Sequence, residues 1–181
     1  MTIADLEALP EDGNRYEIIE GELFVSRAPG LTHQIVSDNI IYLIRSYLER
    51  HPVGIVVSTI GLILTEYSGV IPDIVFFTHA NAKRIVSGER LINAPDLVIE
   101  ILSAGSENLR RDRVAKCQLY GKHGVLEYWL IDPTRQTVEV YSLHGESLDL
   151  ASTLQREDEL STPVLPGFSC TVKQIFLLPP F

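Results

Sequence analysis

Two stretches of the chain, Val70-Ile-Pro-Asp-Ile-Val-Phe-Phe77 and Asp96-Leu-Val-Ile-Glu-Ile-Leu102, decide the fold. Each is a nearly continuous apolar run of strand length, a pattern typical of strands that are covered on both faces. Each run also carries one acid in its interior, Asp73 in the first and Glu100 in the second. The two stretches therefore predict buried strands of an α/β sheet, with one carboxylate on each.

The segments around these two runs alternate between strand and helix patterns. Two β-prone runs joined at Glu20-Gly21 predict a hairpin at about 15–26. Apolar residues at helical spacing predict helices over Thr32–Arg50 and over Leu109–His123. Two further apolar runs on either side of Asp132-Pro133 predict another pair of strands.

This order of elements predicts one α/β domain over residues 1–181, with a mixed sheet flanked by helices and an N-terminal β-hairpin. The core is expected at about 31–142, and a C-terminal wrap of loops and short pieces at about 143–181. A chain of 181 residues has room for one core of ordinary size.

Composition excludes several classes of protein. The net charge of −9 argues against a general basic surface for nucleic acid, although residues 107–123 carry a local charge of +3. No apolar run reaches the roughly 20 residues that a membrane span needs, and the acidic N-terminus lacks a signal-peptide pattern. The two cysteines, 53 residues apart, show no metal-ligand spacing, so reduced thiols and a cytoplasmic location are expected.

Asp73 and Glu100 are the candidate functional carboxylates. A carboxylate inside a covered strand carries a desolvation cost unless a metal, a hydrogen bond or an opposite charge compensates it. If the two strands are neighbours, both acids can converge on one divalent cation, and oxygen ligands of this kind suit Mg²⁺ or Mn²⁺. The alternative is that each acid lies at a strand end and faces water.

The helix predicted over Leu109–His123 supplies a cation. Asp112, Lys116 and Tyr120 are spaced to share one helix face. Lys116 could project towards the two carboxylates and neutralise charge that develops on a phosphate. The alternative is an ordinary ion pair between Asp112 and Lys116 on the helix surface, worth a few tenths of a kcal/mol.

The sequence resembles the PD-(D/E)XK nuclease superfamily and, more closely, the Uma-two family of restriction endonuclease-like proteins. The likeness runs from about residue 1 to residue 142. It is carried by the two strands above and by four further matching segments: residues 9–23, His33, Arg111-Asp-Arg-Val-Ala-Lys116 with Tyr120, and Gly124-Val-Leu-Glu-Tyr-Trp-Leu-Ile-Asp-Pro133.

The resemblance implies a restriction endonuclease-like fold and assigns roles to particular residues. Asp73 and Glu100 take the two acidic positions, and both bind the metal. Position 102 is leucine where the wider superfamily has its lysine, so the resemblance places the catalytic lysine at Lys116. Glu17 is implied as an auxiliary acid, its alternative being a surface strand residue, and Asp112 is interpreted as orienting Lys116.

The resulting hypothesis is an Mg²⁺- or Mn²⁺-dependent endonuclease that hydrolyses DNA phosphodiester bonds, expected by analogy to be a homodimer. One alternative is a binding or assembly module that keeps the nuclease fold without turnover. Another is a hydrolase of RNA or of small phosphodiesters. The five histidines have no ligand spacing and are interpreted as surface or structural residues.

Overall fold

The computed structural model describes residues 1–10, 12–103 and 111–178, and for residues 111 and 112 the backbone alone. The helices are α1 (Ile3–Glu7), α2 (Leu31–Leu48), α3 (His79–Ile85), a π-helix (Arg111–Lys116), α4 (Cys117–Lys122) and α5 (Val172–Ile175). The strands are β1 (Arg15–Ile19), β2 (Glu22–Ser26), β3 (Gly54–Ser58), β4 (Leu62–Thr65), β5 (Ser68–Val70), β6 (Ile74–Thr78), β7 (Val86–Ser87), β8 (Arg90–Leu91), β9 (Leu97–Ile101), β10 (Glu127–Asp132), β11 (Thr137–His144), β12 (Ser147–Leu154), β13 (Glu159–Ser161) and β14 (Ser169–Thr171).

Two six-stranded sheets dominate the described residues. The central sheet has the order β12-β11-β10-β9-β6-β3, and the second sheet has the order β2-β1-β5-β4-β8-β7. The central sheet is mixed, because β9 and β10 run parallel while its other neighbours run antiparallel. No helix in the described residues has the length and apolar character that crossing a bilayer requires.

The predicted fold class, α/β with mixed strands, helices and an N-terminal hairpin, is confirmed. The hairpin pairs Ile19 with Glu22, and the two residues between them, Glu20 and Gly21, have φ of 50° and 84°. Positive φ at both central residues is what a tight hairpin turn of the I′ type requires. The sequence did not predict the second sheet, to which this hairpin belongs.

Three segments differ locally from the sequence expectation. The predicted strand over Val70–Phe77 is two strands, since β5 lies in the second sheet and β6 in the central one. The segment between β6 and β9 contains α3 and the short pair β7–β8 rather than an irregular crossover. Part of the expected C-terminal wrap forms β12, an eight-residue edge strand that pairs with β11.

The core lies on both faces of the central sheet. On one face, apolar residues of α2 such as Ile40 and Ile44 pack with Ile99 and Trp129 of the strands. On the opposite face, Tyr120 of α4 belongs to a second buried cluster that includes Val98 and Tyr128. Alternate residues of each strand therefore face different helices, as strand geometry requires. Glu100 shares the α4 side with Val98.

Glu127, at the start of β10, is a buried carboxylate away from Asp73 and Glu100. Its side chain is 2% exposed and accepts a hydrogen bond of 2.6 Å from the Trp129 indole. Burial raises the pKa of Glu127, and the hydrogen bonds from Trp129 and Thr162 only partly oppose that effect. The folded state therefore favours the protonated acid more than the unfolded chain does.

We expect Glu127→Gln to gain stability relative to the parent as pH rises from 4 to 7. Because the pKa of Glu127 is higher in the folded parent than in the unfolded chain, the parent loses stability as pH rises above the pKa of Glu127 in the unfolded chain. Glutamine does not titrate, so the variant does not show this loss. Urea unfolding at both pH values measures the difference, with exposed Glu146→Gln as the control for net charge. A difference between variant and parent that stays constant with pH would contradict this assignment.

Candidate active site

Asp73 lies where the chain passes from the second sheet into the central one. Residues 71–73 connect β5 to β6, so Asp73 immediately precedes the first residue of β6. The antiparallel register pairs Ile74 with Ile99, and one further step along it places Asp73 opposite Glu100. Residues directly opposite each other in neighbouring strands share a face of the sheet. The fold therefore brings together the two acids that the sequence singled out.

Asp73 is 7% exposed and is bound by donors from three parts of the chain. Arg15 Nη1 donates to Oδ1 at 3.3 Å, and the Ile101 amide donates to Oδ2 at 2.9 Å. His33 Nε2 lies 3.1 Å from the same Oδ2. The desolvation cost expected for this carboxylate is thus compensated by hydrogen bonds and by the guanidinium charge.

These contacts set the ionisation of Asp73. Burial by itself raises the pKa of the Asp73 carboxyl, but the hydrogen bond and charge of His33, together with the Ile101 amide, act in the opposite direction. The charge of Lys116 adds to this effect. The pKa of Asp73 consequently lies below its ordinary value, and the side chain is a carboxylate at neutral pH.

Glu100 is 3% exposed and binds a cation and a hydroxyl. Lys116 Nζ and the Tyr120 hydroxyl each donate to Glu100 Oε1 at 2.8 Å. Burial raises the pKa of Tyr120 well above its ordinary value, and the charge of Glu100 raises it further, so the phenol remains a donor. Both partners come from the helical segment after β9.

Glu17 joins the same site from the second sheet. It is 2% exposed, accepts a hydrogen bond of 2.8 Å from the Ile71 amide, and lies 3.0 Å from Lys116 Nζ through the same Oε1. The ammonium of Lys116 therefore bridges carboxylates of two different sheets. The alternative interpretation of Glu17, a surface strand residue, does not describe a side chain buried to this degree.

Lys116 is the last residue of the π-helix and is 2% exposed. Its ammonium contacts Glu17 and Glu100, so Lys116 is not an ordinary surface lysine. The sequence predicts that Asp112 orients Lys116, and the side chain of Asp112 lies outside the part of the chain that the structure describes.

Two site residues were not predicted as functional. His33, in the first turn of α2, was interpreted as surface or structural, although it lies within the segments that carry the family resemblance. Its Nδ1 is buried and has no hydrogen-bond partner among the residues that the structure describes. Arg15 could have been found from its spacing, because residues two apart on a strand share a face and Arg15 is two residues before Glu17.

Three described bases in or near the surface that could bind a phosphate backbone contact acids outside the site. Arg113 contacts Glu139 at 2.5 Å, Lys122 contacts Glu20 at 2.9 Å, and Arg90 contacts Glu7. Residues 107–110, the first part of the +3 segment, lie outside the described residues. The three bases that contact acids are compensated, whereas Arg27, Arg45, Arg50, Lys83 and Arg84 contact none of the described acids, and Arg27 lines the space beside Asp73.

A cleft of about 360 Å³ gives access to these groups. Its lining includes Arg15, Glu17, His33, Asp73, Glu100 and Lys116. We call this space the cleft. Its volume lies at the lower end of the range for small-molecule sites.

The donor atoms of the cleft suit a hard divalent cation. Asp73 and Glu100 offer carboxylate oxygens from neighbouring strands, and Mg²⁺ commonly binds through one or two carboxylates while water or substrate phosphate completes its shell. Within residues 1–10, 12–103 and 111–178, no group of three or more His, Cys, Asp or Glu side chains is arranged to hold a metal ion. The residues fit a cation held by two acids, which would compete with Arg15 and Lys116.

Comparisons with known proteins place the chain among nuclease-like sequences. A family model named Uma2, described as "Putative restriction endonuclease", matches residues 3–173. The fold is similar to a crystal structure of "a putative nuclease belonging to DUF820" from Anabaena variabilis, with a TM-score of 0.78 and 22% identity, covering 97% of each chain. No curated protein matches the chain.

We expect Tyr120→Phe to lower the free energy of unfolding by about 1.5 to 3 kcal/mol, because it removes a buried hydrogen bond to a charged acceptor. The Tyr120 ring is fully buried, so phenylalanine keeps the packing and deletes the hydroxyl alone. Urea denaturation measures the effect. The matched control is Tyr42→Phe on α2, where the side chain is 70% exposed; equal effects of the two substitutions would contradict the contact with Glu100.

Proposed function

The chain belongs to the Uma2 family of restriction endonuclease-like proteins, and from this premise we propose that it hydrolyses DNA phosphodiester bonds with Mg²⁺ or Mn²⁺ held by Asp73 and Glu100. The family and the similar fold support a nuclease at the level of reaction class. Metal dependence and DNA as the substrate are the finer parts of the proposal.

One observation carries the proposal: the Lys116 ammonium lies 2.8 Å from Glu100, the residue that the strand register places opposite Asp73. Two acids on neighbouring strands and a lysine beside them are the groups that metal-assisted phosphoryl transfer uses. The acids bind a cation and the lysine neutralises charge on the phosphoryl oxygens. Burying an ammonium and three carboxylates together carries a desolvation cost, which a functional role for these groups would explain.

The proposed cation would polarise a phosphate oxygen and make a water molecule more acidic. The residues of the chain prepare the site for this chemistry. Asp73 stays ionised because His33, Arg15 and the Ile101 amide stabilise its negative charge. Tyr120 fixes the position of Glu100.

Lys116 provides the positive charge that acts on the substrate. Glu17 and Glu100 hold its ammonium from two sides, which restricts its motion. Electrostatic groups fixed before the reaction stabilise a transition state without the cost of reorganising during it. Glu17 is thus a positioning residue in this proposal.

The charge balance of the site favours a second candidate, a nuclease-fold module that binds without turnover. Arg15 and Lys116 already compensate the buried acids, so the described structure does not need a metal for its stability. A module of this kind would neither bind Mn²⁺ at the cleft nor cleave DNA. Cleavage and Mn²⁺-binding measurements with RNA and small phosphodiesters test the other alternative, a hydrolase of those substrates.

A homodimer and a cytoplasmic location remain predictions.

We expect the parent protein to cleave DNA with Mg²⁺ or Mn²⁺ and to lose this activity with excess EDTA. Lys116→Met should reduce the rate of cleavage by about 10²- to 10³-fold, the usual loss for one preorganised electrostatic contact. Mn²⁺ binding, measured by electron paramagnetic resonance, should persist because both acidic ligands remain. The matched control is Lys122→Met, which removes an exposed lysine from the adjoining helix α4 and should cleave like the parent.

Removing Lys116 alone leaves two buried acids without this cation, which can cost about 3 to 5 kcal/mol of stability. The double variant Glu17→Gln with Lys116→Met removes one charge of each sign and therefore leaves the net charge of the site unchanged. Circular dichroism and urea unfolding identify which variant is folded. Cleavage at the parental rate by a folded variant without Lys116 would overturn the role of this lysine.

A further inference from the structure

A second cavity in the described residues adjoins the cleft and is lined mainly by apolar residues, together with polar ones such as Glu7, Asn14 and Arg90. It has a volume of about 770 Å³ and lies between α1, the segment that follows α1, and the second sheet. Ile3, Leu6, Leu9 and Ile63 line it and are only partly buried. Folding normally covers aliphatic side chains such as these. We call this space the apolar cavity.

The apolar cavity and the cleft share a wall. Arg15, Ala28 and Pro29 line both spaces, and Arg15 contacts Asp73 at 3.3 Å. A polymer with one phosphate at the acids of the cleft would therefore have its neighbouring unit beside the apolar cavity. The two spaces provide adjoining polar and apolar compartments, which match the phosphate and the base of a nucleotide.

Resting on the function proposed above, we propose that the apolar cavity binds an unstacked base of the substrate, so that the enzyme acts on single-stranded or locally unpaired DNA. Tyr16 also lines the apolar cavity, and its hydroxyl donates to Asp12 at 2.7 Å, which orients the ring. Aromatic rings and arginine planes are the surfaces on which single-stranded bases stack. Arg15 and Tyr16 bring both kinds of surface to this place.

Access to the acids also favours a single strand. Glu17, Asp73, Glu100 and Lys116 are between 2% and 7% exposed, at the bottom of a cleft of about 360 Å³. In an intact duplex every base is stacked and paired, and moving one into a pocket costs the free energy of unstacking and unpairing it. A single strand does not incur this cost and can bend into the cleft.

The distribution of charge points to the same class of substrate. A protein that binds duplex DNA through its backbone needs many uncompensated lysines and arginines, whereas the chain carries a net charge of −9. Of the described cations, Arg90, Arg113 and Lys122 each contact an acid, and the five that contact no described acid, Arg27, Arg45, Arg50, Lys83 and Arg84, are few for a duplex backbone. Base contacts in an apolar cavity supply affinity without a basic surface. A substrate with one strand to cut does not require the second active site that a homodimer would supply.

The binding test separates the bases of the substrate from its backbone. Fluorescein-labelled dT5 and a pentamer of abasic residues with the same phosphates are titrated against the parent protein in EDTA, and fluorescence anisotropy measures the affinity. We expect dT5 to bind at least tenfold more tightly than the abasic pentamer. Equal affinities would overturn the proposal.

A variant that fills the apolar cavity locates the effect. Gly61 lines this cavity, its backbone conformation is open to other residues, and an added Cβ would meet only Arg90 Cγ at 3.8 Å. Gly61→Leu should reduce the affinity for dT5 to that of the abasic pentamer. The matched control is Ala80→Leu, which adds the same side chain at a separate cavity of about 400 Å³ and should bind dT5 like the parent.

If Gly61→Leu fails to fold, Leu9→Glu provides the same test by placing a carboxylate in the apolar cavity, and it should weaken dT5 binding at least tenfold. Parental affinity for dT5 in either folded variant would overturn the proposal. So would a dimer of the parent in sedimentation analysis that Gly61→Leu dissociates, because a second copy would then occupy the cavity.

A comparison of cleavage separates this proposal from the function on which it rests. With Mn²⁺, the parent should cut a labelled 30-nucleotide single strand at least tenfold faster than the same strand in a duplex. Equal cutting of both would overturn the choice of substrate and leave the nuclease function intact. Absence of cutting and of Mn²⁺ binding would overturn the nuclease function itself, and with it the substrate proposed here.

Discussion

Burial of the Lys116 ammonium between Glu17 and Glu100 connects three parts of the chain that are distant in sequence. An ion removed from water in this way is tolerated only when its partners lie at hydrogen-bonding distance, and here they lie at 3.0 and 2.8 Å. Glu17 belongs to the second sheet and Glu100 to the central sheet. The position of the helical segment and the approach of the two sheets therefore depend on the same charge.

The passage of the chain at residues 71–73 explains why the site forms at this junction. β5 ends in the second sheet and β6 begins in the central sheet, so the connecting backbone needs partners outside either strand ladder. Glu17 accepts a hydrogen bond from the Ile71 amide, and Glu100 accepts one from the Asp73 amide at 3.4 Å. The acids thus stabilise the fold with the same carboxylates that the proposed chemistry uses, and a substitution at any of them has consequences for both.

The charges of the site also limit what it can bind. Arg15 and Lys116 compensate the acids, so a divalent cation has to compete with internal cations rather than enter an empty acidic site. The proposal for the apolar cavity has a related origin. The chain is acidic overall, with a net charge of −9, so contacts other than a basic groove contribute to substrate affinity. The site and its surroundings are consistent with a small, flexible substrate strand.

The sequence alone determined the fold class, the buried strands and the two acids, because periodicity and a charge inside an apolar run are local properties that chain neighbours reveal. The spacing along the predicted helix offered Lys116 as a candidate, and the family resemblance assigned its catalytic role and added Glu17. Tertiary structure decided the second sheet, the splitting of the Val70–Phe77 run and the burial of Lys116. It also brought His33 and Arg15 to Asp73, across 40 and 58 positions of the chain. Contacts over such distances depend on how the sheets pack, and no local pattern encodes that packing.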